Sequence, residues 1–197
     1  MSLLVKICGL SEAQHVEAAI HAGAGAVGFV FADSTRRVTP DAAKAICVNV
    51  PRHIKRVAVM LHPTNDDWQD VFENFAPDVL QTDAGDFAGL EIPESVERWP
   101  VFREGQASPD TEGAYVYEGR LSGQGETVDW SVAASHSGRG RMILAGGLGA
   151  HNVATAVTTV RPYGVDVSSA VEIAPGRKDT TLINNFVKAA FAAEKNP

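Results

Sequence analysis

The chain has 197 residues, 45% of them hydrophobic and 21% charged, which is the make-up of a globular protein with a sizeable core and excludes a disordered chain. With 17 Lys and Arg against 24 Asp and Glu, the net charge of −7 argues against nonspecific nucleic-acid or anionic-membrane binding and leaves room for a local anion site. Two cysteines, Cys8 and Cys47, make neither a disulfide framework nor a zinc cluster; no apolar stretch approaches ~18 residues and no secretory segment is visible, so a cytoplasmic protein is expected.

In chain order, "LLVKIC" reads as a strand and "SEAQHVEAAIHAGA" as a helix, with Ser11 placed to cap it. "AVGFVF" is a second strand, and "TPDAAKAICVNV" a helix capped by Thr39, with Pro40 in its first turn. "IKRVAVML" and "DVLQTD" are the third and fourth strands, separated by the helix "TNDDWQDVFENFA". Residues 84–99 make a weak helix at best, because Gly89 and Pro93 interrupt them. "PVFRE" is a short fifth strand, and "GQASPDTEG" after it has almost no helical character. "AYVYE" is the sixth strand, "GRLSGQGET" a glycine-rich loop and "DWSVAASHS" a short helix. "RMILAGG" and "GVDVSSA" are the last strands, each followed by a helical segment, "GAHNVATAVTTVR" and "DTTLINNFVKAAFAAEK".

Strict alternation of strand and helix predicts a parallel sheet. Eight such units predict one (β/α)8 TIM barrel over residues 1–197, near minimal size, with the helices after strands four and five weak or missing. An open doubly wound sheet is the rival, but the G-x-G-x-x-G turn it favours after the first strand is absent.

A barrel of this kind carries its working groups at the C-terminal ends of its strands. Those ends hold Cys8, then Arg36 and Arg37 in the second loop, His62, Gln81 with Asp83, Glu118, Gly146–Gly147 and Ser168–Ser169. Loops seven and eight commonly hold a phosphate in this architecture, because glycines let backbone N–H groups approach its oxygens. Strand parity turns Lys6 inward with Cys8, and Asp166 inward with Ser168. Closure makes the two strands neighbours, so a buried Lys6–Asp166 ion pair is expected beneath the site. A further pairing, His62 with Asp83, is expected across the ends of strands three and four.

Taken together, "KICGL", "STRRVTP", "GQGETVDW", "LAGGL" and "VDVSSAVE…PGRKD" resemble, in the same order and nearly end to end, the phosphoribosylanthranilate isomerase family of tryptophan biosynthesis. The resemblance implies a (β/α)8 barrel and the Amadori rearrangement of N-(5-phosphoribosyl)anthranilate. It implies Cys8 as general base and Arg36 facing the anthranilate carboxylate. The family's acid is an aspartate ending strand six; counting back from Asp129–Trp130, the matching residue is Glu118. Asp83 stands where the family has histidine, and Ala170 where its last loop has glycine. Substrate contacts are implied for Asp83, Gly146, Gly147, Ser168, Ser169, Ala170 and Asp179. The partner expected is a small phosphosugar, with no nucleic acid, membrane, metal or organic cofactor; a monomer fits the sequence. Two other readings stay open at this stage. One is a sugar-phosphate isomerase acting on a different substrate, such as the histidine-pathway Amadori isomerase, although that chemistry pairs aspartates where this chain has Cys8. The other is a phosphosugar-binding barrel without catalysis.

Overall fold

The computed structural model describes residues 2–106, 111–120 and 127–194. Eight parallel strands close into a barrel in chain order: β1 (Leu4–Cys8), β2 (Ala26–Val30), β3 (Lys55–Val59), β4 (Val79–Asp83), β5 (Glu97–Arg103), β6 (Ala114–Glu118), β7 (Arg141–Leu144) and β8 (Gly164–Val167). Around it lie α1 (Ala13–Ala22), α2 (Pro40–Ile46), α3 (Asn65–Phe75), α4 (Trp130–His136), α5 (Val153–Val160) and α6 (Thr180–Glu194). A small antiparallel ribbon, β9 (Glu172–Ala174) and β10 (Arg177–Lys178), follows β8.

Side-chain alternation divides the apolar residues into two cores. Val5, Ile7, Val27, Phe29, Leu80, Tyr115 and Val165 face outward and pack with the helices. Ala26, Val57, Val79, Trp99, Val101, Val116 and Ile143 fill the barrel interior. The inward parity continues to the strand ends and delivers Cys8, Asp83, Arg103 and Glu118 to the barrel mouth.

Local chemistry accounts for the helix starts. Thr39 accepts from the Ala42 amide at 3.2 Å, with Pro40 following it as expected. Thr64 and Asp67 form a reciprocal capping box on α3, and Asp129 accepts from the Ser131 and Val132 amides on α4. Ser11 is not the cap of α1. That helix starts at Ala13, and Glu12 holds the cap position without a side-chain bond. The amides of Gly9 and Leu10 both bond to the Gly28 carbonyl, which holds the chain against β2 and delays the first helical turn.

After β4 there is only a 3₁₀ turn, Asp86–Gly89, and after β5 no helix occurs among the described residues. β5 starts at Glu97, three residues ahead of the expected Pro100, because Trp99 and Val101 are needed to fill the interior. Most of "GRLSGQGET" and part of "GQASPDTEG" lie outside the described residues.

The seam between β8 and β1 closes the barrel, with Leu4 opposite Gly164 and Lys6 opposite Asp166. A Cβ at Gly164 would lie 2.7 Å from the Leu4 carbonyl oxygen, so only glycine permits this approach. Lys6 is fully buried, and its Nζ lies 3.0 Å from Asp166 Oδ2. Gly28 on β2 makes room for it: a Cβ there would meet Lys6 Cε at 3.1 Å and Cys8 Sγ at 3.2 Å. Burial disfavours the Lys6 ammonium, but Asp166 and Cys8 outweigh this and raise its pKa. Outside this same seam α6 packs against both α1 and α5, and Glu194 Oε1 accepts from the Leu3 amide at 2.7 Å.

Lys6→Met alone leaves Asp166 buried without a counter-charge, and breaking a buried pair in this way costs roughly 3–5 kcal/mol. The urea midpoint is expected to fall sharply in Lys6→Met and to recover in large part in Lys6→Met/Asp166→Leu. Because the folded pKa of Lys6 is raised, its stabilisation is fully present below the ordinary lysine range and is lost only as pH rises through the folded value. An unchanged midpoint in the single variant would mean that the pair contributes nothing.

Candidate active site

The strand ends and the loops beyond them enclose a cavity of about 320 Å³. Cys8, Arg36, Asp83, Glu118, Gly146, Gly147, Ser168 and Ser169 all line it. Ala170 and Asp179 do not. Asp179 instead starts α6: its Oδ1 accepts from the Leu182 amide at 2.8 Å. Ala170 lies beside loop seven, its Cβ 3.2 Å from where a Cβ on Gly149 would be.

Cys8 ends β1, and its residue is 7% exposed. Burial pushes its thiol pKa up. Lys6 and Lys178 pull it down, and Asp166 adds to the upward push. The next residue turns sharply: Gly9 has φ +73°, and a Cβ there would lie 2.7 Å from Arg36 Cδ. A side chain at position 9 would therefore be strained and would displace the arginine. Cys47, in contrast, is buried in the outer core, its thiol pushed up to about 12 mainly by burial.

Arg36 is held by a carboxylate. Its Nε and Nη2 donate to Glu172 Oε1 and Oε2 at 2.7 and 2.9 Å, a bidentate pair. Glu172 Oε1 also accepts from Lys178 Nζ at 2.7 Å, and the same Nζ reaches the Ser168 carbonyl at 2.9 Å. Ser168 Oγ in turn lies 3.2 Å from the Cys8 carbonyl oxygen, to which it donates. Burial disfavours the Glu172 carboxylate, but Arg36 and Lys178 outweigh it and hold its pKa below the ordinary value. Burial lowers the pKa of Lys178 despite Glu172. One chain of contacts thus ties loop two, loop eight and the end of β1 together.

Loop seven is built by Gly146 and Gly147, with φ of 87° and 61°, a conformation that L side chains rarely adopt. Asn152 clamps this loop: its Nδ2 donates to the Gly147 carbonyl at 2.9 Å, and its Oδ1 accepts from the Gly149 amide at 2.8 Å.

Across the mouth, Glu118 ends β6 with a side chain only 12% exposed. Its Oε1 lies 3.1 Å from Arg103 Nη2, and Arg103 Nη1 lies 2.6 Å from Asp83 Oδ2. His62 Nε2 is 3.8 Å from Asp83 Oδ2, within the expected reach, but its shorter contact is Nδ1 to Asp86 Oδ1 at 3.0 Å. The imidazole is 68% exposed, and Asp86 raises its pKa through a hydrogen bond and charge. His62 therefore sits at the rim, bonded to Asp86 and within ion-pair distance of Asp83 as expected, and does not line the cavity. No group of three or more His, Cys, Asp or Glu among the described residues is arranged to hold a metal ion. No helix among them is long and apolar enough to cross a membrane.

Sequence reading assigns no role to Arg103, Glu172 or Lys178. Arg103 was within reach of strand parity, since it follows Trp99 and Val101 on the inward face. Glu172 and Lys178 carry no such signal, because a ribbon outside the barrel turns them back toward the site.

The model of the family described as "N-(5'phosphoribosyl)anthranilate (PRA) isomerase" matches residues 5–189. The chain is 36% identical to N-(5'-phosphoribosyl)anthranilate isomerase of Listeria welshimeri over 210 residues, covering 98% of this chain and 100% of the relative. It is 37% identical to the enzyme of the same name from Desulforamulus reducens, with 93% of both chains covered. Among solved structures, TrpF from Jonesia denitrificans superposes with a TM-score of 0.81 at 33% identity, with 98% of each chain covered. A phosphoribosyl anthranilate isomerase in complex with reduced 1-(o-carboxyphenylamino)-1-deoxyribulose 5-phosphate gives 0.76 at 28% identity, over 96% of this chain and 99% of that one. A match through every strand of the barrel, with relatives aligned over almost their whole length, makes this chain a member of the N-(5'-phosphoribosyl)anthranilate isomerase family.

Proposed function

We propose that the chain is an isomerase of tryptophan biosynthesis that catalyses the Amadori rearrangement of N-(5-phosphoribosyl)anthranilate to 1-(2-carboxyphenylamino)-1-deoxyribulose 5-phosphate. The observation that carries the reading is the meeting, in one cavity, of a buried thiol on β1 and a carboxyl on β6, beside two loops shaped for an anion. The phosphosugar is the partner, a single barrel domain the frame, and the cytoplasm the compartment.

The chemistry needs one proton delivered to oxygen and one removed from carbon. Glu118 protonates the ribose ring oxygen; the ring C–O bond breaks and the nitrogen lone pair forms the Schiff base. Cys8, as thiolate, then takes the C2 proton; the electrons of that C–H bond form the C1–C2 double bond, the C=N pair returns to the nitrogen, and the enolamine results. Tautomerisation yields the ketone. Arg103 joins the two carboxyl groups of this wall, Asp83 and Glu118, and so fixes the place from which the acid meets the ring oxygen.

Binding follows from the charges around the cavity. The backbone of loops seven and eight, with Gly146, Gly147, Ser168 and Ser169 on the cavity wall, takes the phosphate, and Ala170 backs this loop from outside the cavity. Arg36 receives the anthranilate carboxylate on the N–H groups that Glu172 leaves over, since Glu172 uses two of its five. Asp83 lines the cavity as a substrate contact, its carboxylate held by Arg103. Asp179 acts at a distance, by starting α6 directly after the ribbon that carries Lys178.

Cys8→Ala is expected to lower kcat by at least the ~10²–10⁴-fold of a lost general base while binding of a reduced product analogue persists. Substrate fluorescence measures the first and calorimetry the second; near-parental turnover would make Cys8 mere core. A base whose pKa is raised above the ordinary thiol value is still gaining charge as pH climbs past neutrality, so kcat/KM should keep rising with pH instead of levelling off near neutrality. Glu118→Gln should remove most activity, since an amide cannot deliver the proton. Glu118→Asp should lower it, because a carboxyl withdrawn by roughly an ångström can cost ~10²-fold. A fully active Gln variant would take Glu118 out of the mechanism.

A further inference from the structure

Arg103 ends β5 on the inward face, between the ends of β4 and β6. Its Cα pairs in register with that of Glu118, and its side chain is 13% exposed. The two nitrogens of its fork are divided: Nη1 on Asp83 Oδ2 at 2.6 Å and Nη2 on Glu118 Oε1 at 3.1 Å. A guanidinium is planar, with donors at fixed angles, so a carboxylate on one nitrogen sets where the other must point. The shorter of the two bonds goes to Asp83, which makes Asp83 the anchor and Glu118 the group being aimed. Backbone bonds hold the arrangement from below: the Arg103 amide donates to Gln106 Oε1 at 3.2 Å, and the Glu104 amide to the Glu118 carbonyl at 3.0 Å.

Glutamate needs such a guide. Its carboxyl sits on one more rotatable bond than an aspartate's, and an unguided side chain samples rotamers that carry the acid away from the reacting oxygen. We propose that Arg103 is a positioning residue for Glu118: held by Asp83, it locks the glutamate carboxyl in the orientation from which it serves the ring oxygen. The inference rests on the function proposed above. It makes Asp83 and Glu118 one coupled unit joined by a single side chain.

The test is a double-mutant cycle read as kcat and KM on phosphoribosylanthranilate. Arg103→Met is expected to lower kcat roughly 10- to 100-fold, the scale of a misplaced reacting group, with KM changed much less. Asp83→Asn, which loosens the anchor, should lower kcat in the same sense but by less. In Glu118→Asp the shorter carboxyl no longer reaches Arg103, so adding Arg103→Met should cost no more than about twofold, the range within which independent changes scatter. Arg103→Lys retains the charge but not the fork. It is expected to keep the parental urea midpoint and still lose kcat, and it carries the test if Arg103→Met does not fold.

Parental kcat in Arg103→Lys with its fold intact would overturn the inference. So would an Arg103→Met loss that is the same in the Glu118→Asp background, or one confined to KM, which would make Arg103 a substrate contact. A parent chain that does not turn over phosphoribosylanthranilate would overturn the proposed function and this inference with it; an active parent with any of the preceding results overturns the inference alone.

Discussion

The buried Lys6–Asp166 pair lies on the seam where the last strand meets the first, directly below the end of β1. A barrel has no free edge only if that seam closes, and here it closes by letting two charged side chains face each other inside an apolar cylinder. Neither charge is tolerable there alone. Glycines make the geometry feasible: Gly164 lets the two backbones approach, and Gly28 on the next strand leaves space for the lysine stem and the Cys8 sulfur. The same ammonium that neutralises Asp166 also lies against Cys8 and draws its thiol toward the ionised form, against the pull of burial. Closure of the fold and preparation of the proposed base are therefore one arrangement of charges.

A second set of charges organises the other half of the mouth. Arg36 comes from loop two, Glu172 and Lys178 from the ribbon after β8, and Ser168 from the end of β8. Two cations share one carboxylate in this cluster, so Arg36 is not fully neutralised and can still receive an anionic group although the whole chain carries −7. Opposite it, Asp83 and Glu118 share one arginine. The cavity is polarised, with anion-binding groups at one wall and the proposed proton donor at the other. A substrate with a carboxylate, a phosphate and a ring oxygen that must be protonated matches such a division.

Much of this was legible in the chain itself. Strand–helix alternation made the barrel and its parallel sheet readable, the interrupted stretch from residue 84 to 99 announced the missing helix after β4, and period-two parity placed Lys6 opposite Asp166. Thr39 as a cap and the glycines of loop seven were readable because each acts through its own neighbours along the chain. Ser11 was misleading for a tertiary reason: Gly28 of β2 holds the two residues before it, and the helix waits until the chain is released. Asp179 was readable as part of a motif, but its side chain turned out to serve the start of α6.

By itself, then, the sequence determined which segments are strands and helices, which residues stand at the strand ends, and which of them face inward, because periodicity and capping are local and survive without knowledge of the rest. Beyond Lys6 and Asp166, which parity and closure pair, only the tertiary structure decided who partners whom. Arg36 meets Glu172 across 136 positions, Lys178 comes back to Ser168 through a ribbon outside the barrel, His62 settles on Asp86 at the rim, and Arg103 divides itself between β4 and β6. Those choices depend on charge and distance among groups that only closure of the barrel brings within a few ångströms, and no pattern along the chain encodes which of several nearby carboxylates a cation will take.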